Sequence, residues 1–401
     1  MTTAGLSEPG LARLHEVMAR HVERRNLPGA VWLVARGDEV HIDVVGSLAV
    51  NGSEPMRPDT IFRLASVTKP IAALAAMILV EECRLRLDDP IDELLPELAD
   101  RQVLKRLDGA VEDTEPARRP ITMRDLLTFR MGLGAIMAPP DSYPVQQAME
   151  TAGVAPGPEL PRHAPDEYLR RLGELPLLHH PGERWLYNTG SDVLGILIAR
   201  ATGQSLGAFL RDRIFDPLGM TDTGFDVRQE NVHRLATFYR ADPSTGALTV
   251  FDEARDGGWS RPPVFESAAG GLASTVHDLL RFSQLMLSGG CYARERLVSR
   301  RSIALMTTDH VTPAQKAASP FFPGFWDNLG WGFGLSITTK RIDLWDSPGR
   351  YGWAGGYGTY WYADPAEDLT GVLLTQLLVD APSAPHIHQD FWTSVYGALD
   401  D

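Results

Sequence analysis

Leu64-Ala65-Ser66-Val67-Thr68-Lys69-Pro70, running on into the apolar stretch Ile71-Ala72-Ala73-Leu74-Ala75-Ala76-Met77-Ile78-Leu79-Val80, decides how the rest of the chain is read. Pro70 is best placed in the first turn of a helix, where its missing N–H costs little. Residues 71–80 are all apolar, so the helix they form is apolar on every side and belongs in the interior. Ser66 then stands at the helix N-terminus, with Lys69 a turn later on the same face. A lysine there is penalised twice, because its charge opposes the helix dipole and burial strips its hydration. Both effects favour the neutral amine, which can take a proton from the Ser66 hydroxyl beside it. The same terminus points backbone N–H groups at any oxyanion that develops. Spacing alone also admits a plainer reading, in which Ser66 caps the helix and Lys69 reaches out to solvent.

Outward from this segment, the two ends of the chain share a pattern that the middle lacks. Near the start, a helix is expected over 11–25, followed by strands over 30–35 and 39–45 joined by a tight turn at Gly37. Near the end, strands are expected over 333–339, 357–362 and 369–378, with a last helix beginning near His388. The middle reads as helices: 71–83, 123–129, 191–202, 206–214 and 275–287. Strands so closely spaced leave no room for repeated βαβ crossovers, so an α/β (α+β) fold with a central antiparallel sheet is expected. The expected division is a discontinuous α/β unit of residues 1–65 with 267–401, interrupted by a mostly helical insertion over 66–266. Two stretches rich in Gly and Pro, 132–165 and 312–330, read as long loops of the kind that wall an active site.

Composition narrows the function. The chain has 401 residues, 44% of them hydrophobic and 22% charged, as in ordinary globular proteins. Its 52 acidic against 38 basic residues give a net charge of −14, which repels phosphate backbones and anionic lipid. Neither nucleic acid nor membrane is therefore an expected partner. Cys83 and Cys291 lie far apart and fit no metal-ligand spacing. The first 20 residues lack the basic and apolar regions of a secretory signal. The longest apolar run, 70–80, is well short of the roughly 20 residues that span a bilayer. A cytoplasmic location is expected on these grounds.

The segment LASVTKPIAALAAMILVEECRLRLDDPIDELLPEL resembles the S-x-x-K serine hydrolases, the group that includes class C β-lactamases, penicillin-binding proteins, D-aminopeptidases and family VIII carboxylesterases. The likeness continues in order through ITMRDLLTFRMGL, PGERWLYNTGSDVLGILIARATGQ, FDPLGMTDTGF and AAGGLASTVHDLLRFSQLML. It implies a β-lactamase-like fold with flanking helices and an inserted helical domain, and it implies Ser66 as nucleophile. The family's Y-x-N motif matches Tyr187-Asn188-Thr189, which implies Tyr187 as general base or acid together with Lys69. Here the third position is Thr189, so the amide stands beside the tyrosine rather than two residues on. The family's K-T-G motif corresponds to Gly352-Trp353-Ala354-Gly355-Gly356. The resemblance implies an oxyanion hole from the N–H groups of Ser66 and Gly356. Trp353 stands where a cation or imidazole would meet a substrate carboxylate. An indole offers an apolar wall and one N–H donor, which suits an uncharged acyl or alcohol group. Trp353, Gly355, Asn188 and Trp326 are the expected substrate-binding residues.

Other motifs carry less. His386-Ile387-His388-Gln389-Asp390 imitates a metallo-hydrolase motif, but Phe391 occupies its last position and no second ligand cluster follows, so no metal is expected. His179 and His180 precede Pro181-Gly182 and read as solvated turn residues. No G-x-S-x-G, P-loop or strand-linked G-x-G-x-x-G is present, and no cofactor is expected. Phe321, Phe322, Phe325, Trp326 and Trp331 form either a small core under a loop or an apolar wall for substrate. The expectation is a serine hydrolase that cleaves small carboxylic esters through a Ser66 acyl-enzyme. Acyl transfer, D-amino-acid amide or peptide cleavage and weak β-lactam hydrolysis are alternatives on the same site. A non-catalytic binding module is the alternative outside enzymology.

Overall fold

A computed structural model of the chain describes residues 5–24, 27–379 and 386–400. Seven strands make one antiparallel sheet: β1 (Gly29–Arg36), β2 (Glu39–Gly46), β3 (Leu329–Trp331), β4 (Ser336–Thr338), β5 (Tyr351–Gly355), β6 (Thr359–Asp364) and β7 (Leu369–Thr375). Their spatial order is β3-β4-β5-β6-β7-β1-β2. The two ends of the chain meet where β1 pairs with β7, with Val31 opposite Leu374 and Leu33 opposite Val372. Five helices position the site and cover the sheet: α1 (Glu8–Glu23), α2 (Thr68–Glu81), α3 (Thr189–Thr202), α4 (Val276–Leu287) and α5 (His386–Tyr396).

Along β1 and β7 both faces of the sheet are buried, and β1 accordingly reads as an apolar run, residues 30–35, rather than as an alternation. On one face Trp32, Val34 and Leu373 pack with Leu14 and Met18 of α1 and Phe391 and Trp392 of α5. On the other, Val31, Leu33 and Val372 join the main core with Phe282 and Leu285 of α4. Every residue from Thr68 to Leu79 of α2 is buried, as its uniformly apolar sequence requires. Between the sheet's two halves the described chain is mainly helical, with four small strand pairs: Phe62–Arg63 with Ala273–Ser274, Gln102–Leu104 with Thr114–Pro116, Phe238–Ala241 with Leu248–Asp252, and Cys291–Tyr292 with Glu295–Arg296. Cys83 and Cys291 are exposed free thiols. Among the described residues no single helix is long and apolar enough to cross a membrane.

Several elements differ from their expected limits. α1 starts at Glu8 on a Ser7 cap and ends at Glu23; Arg25, the expected last residue, lies outside the described residues, as do residues 1–4 of the N-terminal segment. α2 begins at Thr68, so Pro70 is its third residue, still inside the turn that tolerates proline. The helix expected over 206–214 is α-helical only over Leu206–Leu210 and continues as a π turn, Arg211–Phe215. The strand expected over 333–339 is a strand only over Ser336–Thr338 (β4); residues 333–335 form the turn that joins it to β3, which lies before the expected range. Residues 351–355 are a full strand, β5, and the turn 356–358 separates it from β6. Gly358 has φ +74°, which lets this turn close, while Tyr357 within it imitates a strand residue. The two supposed loops contain helices Pro144–Ala152, Pro313–Ala318 and Phe325–Asn328. Proline opens the first two, so residues that look like loop composition are helix starts.

α5 packs on the sheet with one especially close approach. A Cβ on Gly371 of β7 would lie 2.5 Å from the Trp392 ring. Gly371→Ala is expected to displace Trp392 and cost about 1–3 kcal/mol, read as a lower urea midpoint with an otherwise similar transition. An unchanged midpoint would mean that α5 yields without loss.

Candidate active site

Ser66 lies in a single 3-10 turn, Ala65–Val67, that leads into α2. Ala65 has φ +46°, a conformation that a non-glycine residue adopts only when its surroundings enforce it. The enforcement comes from both sides of Leu64: its N–H donates to Leu272 O (2.7 Å), and its carbonyl accepts from Thr359 Oγ1 (2.6 Å). The end of β5 presses against the same turn. A Cβ on Gly355 would lie 2.4 Å from Leu64 O and 3.3 Å from Ala65 Cβ, so only glycine fits there. Gly356 follows at the surface with open space beside its Cα, and its carbonyl accepts from Val379 N–H. The strand end and the helix start are thus held edge to edge, with Ser66 partly exposed between them.

Lys69 is 1% exposed. Its Nζ lies 2.9 Å from Ser66 Oγ, 2.8 Å from Asn188 Oδ1 and 2.6 Å from Ala269 O. Burial pushes the Lys69 ammonium down to about 7, against the pull of the buried Asp192 carboxylate. A neutral amine has two N–H donors and one lone pair. The carbonyl of Ala269 and the amide oxygen of Asn188 can only accept, so they take the two donors and the lone pair faces the Ser66 hydroxyl.

Tyr187 belongs to an aromatic cluster. Its ring lies 5.6 Å from Phe129, 5.7 Å from Trp185, 5.0 Å from Phe321 and 5.7 Å from Trp353 between centroids. The Trp353 indole N–H donates to Tyr187 Oη at 2.6 Å. Lys69 Nζ sits 4.6 Å above the centre of the phenol ring. Burial pushes the phenol up, although hydrogen bonds with Ser66 and Trp353 pull the other way. Tyr187 therefore carries its proton at neutral pH, while Lys69 is free to accept one. Asn188 follows with φ +84°, a strained geometry that ends the incoming loop and turns its amide back onto Lys69.

Ser66, Lys69, Tyr187, Asn188, Trp353 and Gly355 are thus gathered around one point, with Gly356 next to Gly355. Trp326 stands further back. Its indole N–H donates to Ser319 O (2.7 Å), and its ring packs edge-on against Trp185 at 5.2 Å. Phe325 and Trp331 are buried in the cluster behind Tyr187, and Trp326, Phe321 and Phe322, partly buried, pack on that cluster. The aromatic segment is accordingly a small core that supports the phenol. His180 is buried rather than solvated, with its ring 2.9 Å from Glu115, because the turn it precedes folds against the 115–118 segment. His388 lies among the rings of Tyr360, Tyr362 and Trp392. Three neighbours escaped the sequence reading: Ala269, whose carbonyl holds Lys69; Phe129, with φ +57° beneath Tyr187; and Asp192, buried behind Lys69. Asp192 alone had a signal, as a carboxylate leading an otherwise apolar helical run.

Residues 14–389 match the model of the Beta-lactamase family. Protein Rv1367c of Mycobacterium tuberculosis is 38% identical over 368 residues, covering 89% of each chain. Esterase EstB of Burkholderia gladioli is 32% identical over 396 residues, covering 93% of this chain and 92% of that protein. Among solved structures, EstCE1, described as a hydrolase with promiscuous acyltransferase activity, superposes with a TM-score of 0.79 at 25% identity, covering 97% of this chain and 98% of its own. The chain belongs to the Beta-lactamase family and is a serine hydrolase of the β-lactamase and penicillin-binding-protein superfamily.

Trp353→Phe keeps the ring and removes the donor to Tyr187. A lost hydrogen bond of about 1–2 kcal/mol corresponds to a fall in kcat of roughly 10-fold, with KM within about twofold. Steady-state kinetics on a para-nitrophenyl ester test this. A rise in KM at constant kcat would instead make Trp353 a substrate contact.

Proposed function

We propose that this enzyme cleaves small, uncharged carboxylic esters through a Ser66 acyl-enzyme. The observation that carries the proposal is the Lys69 amine, whose two donors are engaged by Asn188 and Ala269 and whose remaining lone pair faces Ser66 Oγ at 2.9 Å. Lys69 Nζ takes the Ser66 proton as Oγ bonds to the ester carbonyl carbon. The carbonyl oxygen becomes an oxyanion held by the N–H groups of Ser66 and Gly356. The C–O bond to the alcohol then breaks, and the Tyr187 phenol protonates the leaving oxygen. The proton held by Lys69 restores the phenol. Water, deprotonated by the same pair, attacks the acyl carbon and releases the acid and free Ser66.

The substrate class follows from Trp353. Its one N–H is spent on Tyr187, so it supplies an apolar surface and no counter-charge for a substrate carboxylate. That favours esters over β-lactams or peptide C-termini, in keeping with the esterase name of EstB. Acyl transfer to an alcohol is the second reading. It uses the same acyl-enzyme with an alcohol in place of water, and the acyltransferase activity named for EstCE1 favours it.

Hydrolysis of para-nitrophenyl butyrate by wild type and by Ser66→Ala is the deciding comparison. The variant is expected to lose at least about 10³-fold in kcat/KM; equal rates would reduce Ser66 to a helix cap. Adding a small alcohol separates the two readings, because transfer yields a new ester and hydrolysis yields only acid. The pH profile gives a further expectation. Only the neutral amine accepts the Ser66 proton, so kcat/KM should rise as pH increases through about 7, where Lys69 loses its proton. A flat profile from pH 5.5 to 8.5 would remove Lys69 as the base.

A further inference from the structure

Asp192 lies in the first turn of α3, five residues after Tyr187, and is 3% exposed. Beyond it α3 continues Val193-Leu194-Gly195-Ile196-Leu197-Ile198, all buried. A carboxylate in such surroundings is costly unless its oxygens are occupied. Here Oδ1 accepts from Ser267 Oγ at 2.7 Å and from Ala269 N–H at 3.0 Å. Ala269 is therefore gripped on both sides, its N–H by Asp192 and its carbonyl by Lys69 Nζ. The start of α3 supplies both ends of this arrangement, since Asn188 at its cap holds the amine's other donor. The position also suits the charge, because the positive end of the α3 dipole favours an anion in the first turn.

We propose that Asp192 is a positioning residue for the Lys69 base: by clamping the Ala269 backbone it aims the amine lone pair at Ser66 Oγ, and its negative charge strengthens that amine as a base. The proposal rests on the reading of Ser66 and Lys69 as nucleophile and base. The titratable groups that act on this pair are the Tyr187 phenol, over whose ring Nζ sits, and Tyr168 of the helix Pro165–Glu174, which faces Asp192. Burial keeps both phenols protonated across the neutral range; it also pushes the Asp192 carboxyl up, but the bonds from Ser267 and Ala269 and the nearby Lys69 pull the other way, so Asp192 is the partner of Lys69 that brings a charge. Asp192 does not reach the reacting atoms and acts only through Lys69 and Ala269.

Asp192→Asn keeps the shape and an accepting oxygen for Ser267 and Ala269 while removing the charge. The acid limb of kcat/KM is expected to move down by about one pH unit, and the alkaline plateau to fall to roughly a third, since a weaker base transfers the proton more slowly. KM should stay within about twofold. Ser267→Ala, a smaller change, keeps the carboxylate's charge but removes a donor that shares it, so the limb should move the opposite way, up by about a few tenths of a unit. It decides the question alone if Asp192→Asn does not fold. An acid limb unmoved in the variants that fold would overturn the proposal and leave Asp192 a structural carboxylate. The parallel Ser66→Ala measurement keeps the two readings apart: if that variant retains the wild-type rate, the assignment of Ser66 has failed, whatever Asp192→Asn does.

Discussion

The site depends on a lysine amine held out of water among oxygen acceptors. In bulk solvent an ammonium keeps its proton until pH exceeds about 10. Enclosed beneath Ser66, the same group is deprotonated near neutrality, and its remaining N–H bonds are taken by Asn188 and Ala269. Burial therefore does two tasks at once, because it frees the lone pair and leaves it one direction to point. The apolar character of α2 serves this end. Twelve consecutive residues, Thr68 to Leu79, are buried, and a helix with a polar side could not have carried Lys69 so deep.

Three strained residues surround the site of that amine. Ala65, Phe129 and Asn188 all have positive φ; Ala65 precedes Ser66, Phe129 packs on Tyr187 and Asn188 bonds Lys69. Such conformations cost of order 1–3 kcal/mol each and persist only where packing over-determines them. At Ala65 the bonds of Leu64 to Leu272 and Thr359 do so. At Phe129 and Asn188 the aromatic cluster and the bond to Lys69 hold the chain. Rigidity at the site is thus supplied by the sheet edge on one side and by a second, aromatic core on the other.

The layered fold was legible in the sequence because apolar runs and their breaks depend on local chemistry. Both chain ends read as strands, the middle read as helices, and the segment around Ser66 pointed to the fold before any geometry was known. Limits failed where one residue type serves two purposes. Pro144 and Pro313 open helices but look like loop residues, and Tyr357 sits in a turn while imitating a strand. Residues that act through the backbone were not legible at all. Ala269 matters for its carbonyl, which every residue has, and its proximity to Lys69 arises from a contact 200 positions away in sequence.

Trp353 shows how one substitution in a motif ties mechanism to substrate. An indole N–H is a donor only, so a tyrosine oxygen that accepts it is left to donate its own proton elsewhere. That geometry supports Tyr187 as an acid toward a leaving alcohol. The same N–H can no longer be offered to a substrate, and the ring contributes no charge to attract an anion. A cation in this place would serve a carboxylate-bearing substrate and would also disturb the proton held by the phenol. The neutral ring avoids both effects, so the proposed preference for uncharged esters and the protonated state of Tyr187 have a common physical origin.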